Sequence, residues 1–183
     1  MLEKPLLRQI AELDLARFPK PEIPGNRNVL WRGGWYLVSS LFFRSTILGL
    51  LPNVAKSWIL RLFGAHVGLG LVCKPRVNIK YPWFLSIGDH VWLGEELWID
   101  NLCEVSIGHN VCLSQGVRIF TGSHDWTVPE FTFFASPIKI NDGVWVSAFC
   151  NIRPGVTIPS NVVVLGNLSP AALRKPQTSQ TDA

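Results

Sequence analysis

The sequence predicts an all-β chain wound as a parallel β-solenoid, and three observations predict it. Apolar residues recur on a six-residue beat from about Leu69 to Ser169. That period is neither the 3.6 of a helix nor the two-residue alternation of one long strand, so the chain must coil. Gly, Asn and Asp gather between the apolar positions, where a backbone turns a corner.

The elements follow in order from Ile87. Ile87, Leu93 and Ile99 open successive hexads, each with a further apolar residue four places on at Val91, Leu97 and Cys103. Two extra residues, Val105 and Ser106, precede hexads opening at Ile107, Leu113 and Ile119. The phase breaks after His124 and resumes at Ile140, Val146, Ile152, Ile158 and Val164; run backward, it predicts openers at Tyr81, Pro75 and Leu69. Three hexads make one triangular turn, with the opener and its mate pointing inward. One rung cannot bury its own apolar face, so each stacks on the next. Short antiparallel strands with accidental spacing are the alternative, and the persistence of the beat weighs against them.

The chain has 183 residues, 48% of them hydrophobic and 16% charged, enough for one well-buried domain with appendages. A net charge of +4 suits an anionic ligand or a membrane surface. No dense Lys/Arg tract or aromatic-basic interleaving argues for nucleic acid. Cys73, Cys103 and Cys150 fall in the inward fourth-on slot, and Cys112 completes a set without any CxxC spacing. They read as buried thiols in a reducing compartment, not as disulfides or a metal site.

Residues 1–28 read as a loosely ordered arm with a short helix around Leu6 to Phe18. No signal peptide opens the sequence, since Glu3 and Lys4 interrupt it, and a cytoplasmic location is expected. Residues 29–64 carry the apolar runs Trp35–Phe43 and Ile47–Leu51, broken by Arg44 and closed by Pro52. This is too interrupted to span a bilayer and predicts one or two amphipathic helices capping the open end of the solenoid. The same helices can lie on a membrane, with Trp31, Trp35, Arg32, Arg44, Lys56 and Arg61 at the headgroup level. Residues 65–169 form the solenoid, with a loop at 125–139, and residues 170–183 a polar tail, disordered from Gln177.

The loop is where chemistry is expected. His124 closes its hexad in an outward slot just before a stretch rich in Trp126, Phe131, Phe133 and Phe134. A neutral imidazole there can take a proton from an attacking hydroxyl near neutral pH. A solvated turn histidine bonded to Asp125 is the plainer alternative. His90 and His109 sit at corner positions and His66 ahead of the first coil, so no metal site is expected.

The in-phase [LIV]-G-x-x-V motif, the entry Arg61–Ala65, the Trp98–Asn101 segment and Thr121-Gly122-Ser123-His124-Asp125 together resemble the hexapeptide-repeat acyltransferases over roughly residues 27 to 168. Within them the chain looks most like the branch of colanic acid and other exopolysaccharide acetyltransferases. Maltose, galactoside and nodulation-factor O-acetyltransferases are more distant relatives. The resemblance implies a left-handed parallel β-helix, a homotrimer, and acetyl-CoA bound in grooves between subunits. It implies His124 as general base, and Trp145, Ser147 and Ala148 along the pantetheine arm. It also implies Asp100 and Asn101, with Asp125 beside the base, at a sugar acceptor; Asp-Asn is equally what a corner prefers. Arg153, Arg174 and Lys175 are candidates for coenzyme A phosphates, while Glu95 and Glu96 are weaker acceptor candidates. Where many relatives have a further coil and a Gly-Asn-Pro-Ala segment, Asn167 to Pro170 here runs straight into the tail. The expected activity is direct transfer of acetyl to a sugar hydroxyl of an exopolysaccharide or other cell-surface glycan precursor. The alternatives are a membrane-associated acyltransferase with a longer acyl donor, and a silent scaffold.

Overall fold

A computed structural model of the chain describes residues 10, 12–23 and 25–170, and within them a three-faced parallel solenoid stands on a helical cap. One face stacks the strands His66–Val67, Leu85–Ile87, Val105–Ile107, Ile138–Ile140 and Thr157–Ile158. The next stacks Val72–Cys73, Trp92–Leu93, Cys112–Leu113, Trp145–Val146 and Val163–Val164. The third stacks Asn78–Ile79, Trp98–Asp100, Arg118–Phe120 and Asn151–Ile152. Pairing is parallel throughout these faces, and the register puts like on like: Ile87, Ile107, Ile140 and Ile158 form one buried column. Ile79, Ile99, Ile119 and Ile152 form another. Each coil thereby buries the apolar edge of its neighbour, as the six-residue beat requires.

Corners explain the residues between. His90, Asn110, Gly143 and Asn161, at φ of 56°, 55°, 68° and 59°, take the left-handed conformation at the first corner of successive coils. The hexad glycine answers to coil spacing: a Cβ on Gly94 would lie 2.5 Å from the Ser114 carbonyl carbon and 2.6 Å from the Gln115 nitrogen on the next coil.

The backward extension of the beat is out of phase. Val67, Cys73 and Ile79 pair with Ile87, Leu93 and Ile99, so they are the openers, and Leu69 is 71% exposed. The reason is a second bulged corner: Tyr81 and the 3-10 turn Pro82–Phe84 occupy additional residues, and Tyr81 stacks on Trp83 at 4.8 Å. The early coils therefore repeat every 20 residues. The corner two coils on holds the long excursion, and there the offset is 33. Cys73 is consequently an inward opener, whose thiol burial pushes up to about 11, and Cys103 lies half-buried at a corner. His66 belongs to the first coil.

The cap has two helices, α1 (Val29–Phe42) and α2 (Asn53–Leu62). Asn28 caps α1 by accepting from the Trp31 amide. Trp35 plugs the solenoid end: it is fully buried against Phe43 and Phe63, and its indole donates to the Ile79 carbonyl at 2.9 Å. The headgroup expectation fails for three residues. Trp35 is buried, Lys56 is buried with its ammonium on the Cys73 carbonyl, and Arg61 donates to the Val67 and Gly68 carbonyls. All three satisfy or cover backbone at the open end of the first coil. Burial lowers the Lys56 pKa. Among the described residues no helix is long and apolar enough to cross a membrane.

The described part of the arm is tied down. Its 3-10 turn Leu15–Arg17 reaches the excursion, where the Asp14 amide donates to the Pro129 carbonyl at 2.9 Å and Arg17 pairs with Glu130 at 3.0 Å. The expected disordered tail, and most of the expected helix at Leu6 to Phe18, lie outside the described residues.

Candidate active site at the excursion

The excursion is a β-hairpin. Gly122–His124 runs antiparallel to Phe133–Ala135, so His124 faces Phe133 across the ladder. Asp125 turns the chain by accepting from the Thr127 amide and hydroxyl, which lowers its pKa. It does not bond the imidazole. That role falls to the Phe131 carbonyl, 2.9 Å from His124 Nδ1. A carbonyl only accepts, so Nδ1 carries the proton and the neutral ring presents the Nε2 lone pair.

Three aromatic rings hold that orientation. Phe131 stacks on the imidazole at 4.2 Å and 5°, Phe133 meets it edge-on at 5.6 Å, and Phe18 of the arm closes a further side at 5.4 Å. Sequence reasoning noticed the phenylalanines of the loop but missed Phe18, Arg17 and Glu130, because an arm without periodicity offers no sign of where it docks.

Beside the hairpin, a cleft of about 400 Å³ is lined by Phe120, Gly122, Ser123, Asn151, Arg153 and Asn167. Arg153 thus lies on the same face as the start of the hairpin, one coil on. Asp100 pairs in register with Phe120 one coil before, and its carboxylate meets Lys80 at 2.8 Å as an ion pair without an aligned hydrogen bond. Of the two readings of Asn101, its contacts are those of a corner residue. It is fully buried, its amide oxygen accepting from the Tyr81 N–H at 3.0 Å and its amide nitrogen donating to the Tyr81 carbonyl at 2.7 Å. Buried Thr121 does the same work one coil on, its hydroxyl oxygen accepting from the Leu102 amide. Glu95 and Glu96 both pair with Arg76.

Trp145 is elsewhere. Its indole donates to the Ser114 hydroxyl at 2.9 Å in a groove of about 670 Å³ on the middle face, beside Trp92, Cys112 and Lys74. Ser147 and Ala148 follow it at the next corner, where the Ser147 hydroxyl lies 3.2 Å from the Cys150 sulfur. A single chain therefore sets Arg153 in one cleft with the start of the hairpin that carries His124, and leaves Trp145 on another face. Arg174 and Lys175 lie outside the described residues. No group of three His, Cys, Asp or Glu side chains that can hold a metal occurs among the described residues.

No family model matches the chain. It is 36% identical over 154 residues to the Escherichia coli protein named putative colanic acid biosynthesis acetyltransferase WcaF, covering 82% of each. The chain belongs to the hexapeptide-repeat acetyltransferases. This acetyltransferase is also 29% identical over 112 residues to nodulation protein L of Rhizobium meliloti, covering 58% of the chain and 61% of that protein. Among solved structures, a hexapeptide-repeat acetyltransferase of Vibrio cholerae complexed with acetyl coenzyme A superposes with a TM-score of 0.67 at 22% identity, over 75% of the chain and 74% of its own. A maltose O-acetyltransferase of Clostridium difficile gives 0.56 at 22% identity, over 78% and 81%. These likenesses give the acetyltransferase its fold, the parallel β-helix expected from the repeat.

Proposed function

We propose that the chain moves acetyl from acetyl-CoA to a sugar hydroxyl of an exopolysaccharide or other cell-surface glycan precursor, in the cytoplasm, with His124 as general base. The observation that carries this is the His124 tautomer: with Nδ1–H held by the Phe131 carbonyl, Nε2 is free to accept the acceptor's proton. The hydroxyl oxygen attacks the thioester carbonyl as its proton passes to Nε2. The tetrahedral species collapses with loss of the thiolate, which takes that proton back. No acyl-enzyme is needed, and Cys73 and Cys150 are buried. The acetyltransferase relatives support the reaction class, WcaF supports the glycan context, and the acetyl-CoA in the Vibrio structure supports the donor.

The assembly that fits this reading is a homotrimer in which the Trp145 face of one copy meets the His124 side of the next. Two observations support it: the expected donor and base residues lie on different faces of one chain, and Trp92 and Trp145 stand 56% and 48% exposed along the solenoid. The test of function is thiol release from acetyl-CoA with a panel of sugars and nucleotide sugars. Release that depends on a sugar is expected. Release with none of them, while acetyl-CoA also fails to bind, would make the chain a scaffold.

The arm makes a separate prediction. Phe18→Ala is expected to lower kcat roughly tenfold at unchanged acetyl-CoA KM, since it loosens the base without touching the donor groove. Arg17→Glu should do the same by releasing the turn from Glu130, and Arg17→Glu with Glu130→Arg should restore it. A doubly reversed chain no better than the singles would show that the ion pair does not hold the arm.

A further inference from the structure

The cap helices bury one side against the first coil and leave the other bare. Along the outer side, Ile47 and Leu50 of the connecting turn and Val54, Trp58 and Leu62 of α2 are 80%, 75%, 71%, 67% and 70% exposed. The last three are spaced four apart, so they form a single stripe on the helix. Opposite them, Lys56, Ser57 and Leu60 face the solenoid and are buried. The outer side of the helix is thus apolar where capping the solenoid does not require it.

The stretch of chain that carries this stripe has charges of one sign. Between Glu22 and Asp89 the sequence contains no Asp or Glu. Of the basic residues in that span, Arg44 just before the turn is exposed and has no ion pair among the described residues. A tryptophan and aliphatic side chains on a stretch of chain free of Asp and Glu, with an unpaired arginine at its turn, complement an anionic lipid surface. Copies packed side by side along the solenoid, by contrast, would use the tryptophans of its faces.

We infer that the turn Ile47–Leu51 and the outer stripe of α2 dock the protein peripherally on an anionic membrane, with Val54, Trp58 and Leu62 in the interface and Arg44 at the headgroups. The inference is independent of the reaction assigned to His124, because membrane contact is read without acetyl-CoA.

The test is flotation of the full chain with vesicles of phosphatidylcholine and phosphatidylglycerol, against vesicles of phosphatidylcholine alone. Binding to the mixed vesicles is expected to be roughly tenfold or more tighter, and to weaken with salt. Val54→Ser/Trp58→Ser should lose most of it, and Arg44→Glu should weaken the preference for the anionic vesicles. Both variants should keep the oligomeric state and the rate of thiol release with a soluble sugar. No binding to either vesicle, or equal binding to both, would overturn the inference. So would a Val54→Ser/Trp58→Ser chain that changes its mass in solution, which would make the stripe an interface between copies.

Discussion

His124→Ala is expected to lower kcat/KM for acetyl transfer by roughly 10²- to 10⁴-fold, the range a positioned general base contributes. That corresponds to about 3–5 kcal/mol of transition-state stabilisation. The loss should fall on kcat, because Nε2 acts on the acceptor's proton in the transition state and is not what holds the donor. His124→Asn separates the two nitrogens of the ring. Its amide can still donate to the Phe131 carbonyl in place of Nδ1–H, but it offers no base where Nε2 stood. An equal loss in both variants would assign the effect to Nε2. Activity within a few-fold of wild type in either would move the base to another residue.

Asn101→Ala is expected to cost stability instead of substrate affinity. It strips the partners from the Tyr81 N–H and carbonyl at a site with no access to water. Leaving a buried backbone group unsatisfied costs about 1–3 kcal/mol, so the pair is worth roughly 2–6 kcal/mol. A thermal scan should show a fall in Tm of roughly 5–15 °C. Asp100→Asn, which removes only a half-exposed ion pair with Lys80, should leave Tm nearly unchanged. If Asn101→Ala raised the acceptor KM at unchanged Tm, the corner role would be wrong and a sugar contact right.

What the sequence revealed divides along physical lines. The period of six was legible because every coil must bury the same columns, and a break in it had to be an excursion, so both the solenoid and the place of His124 could be read directly. The phase of the first coil was not legible. Tyr81 is apolar enough to pass as an opener, and only the pairing of Val67 with Ile87 shows that it stands at a bulge. Lys56 reads as a solvated charge on any helical wheel, and its burial depends on the Cys73 carbonyl at the open edge. Asn101 was ambiguous in kind, since a corner and a sugar both favour an amide. Phe18 was invisible because its contact with His124 crosses more than half the chain in sequence and leaves no local trace.

Mixing two inactive chains tests most directly the claim that neighbouring copies complete the site. His124→Ala lacks the base, and Trp145→Arg places a charged side chain in the donor groove; each should be inactive alone. If base and groove come from different copies, randomly mixed trimers pair an intact His124 with a neighbour's intact Trp145 at about one site in four, and about a quarter of wild-type thiol release should return. If mixing restores nothing while the two chains demonstrably co-assemble, base and groove belong to the same chain and the shared site is refuted.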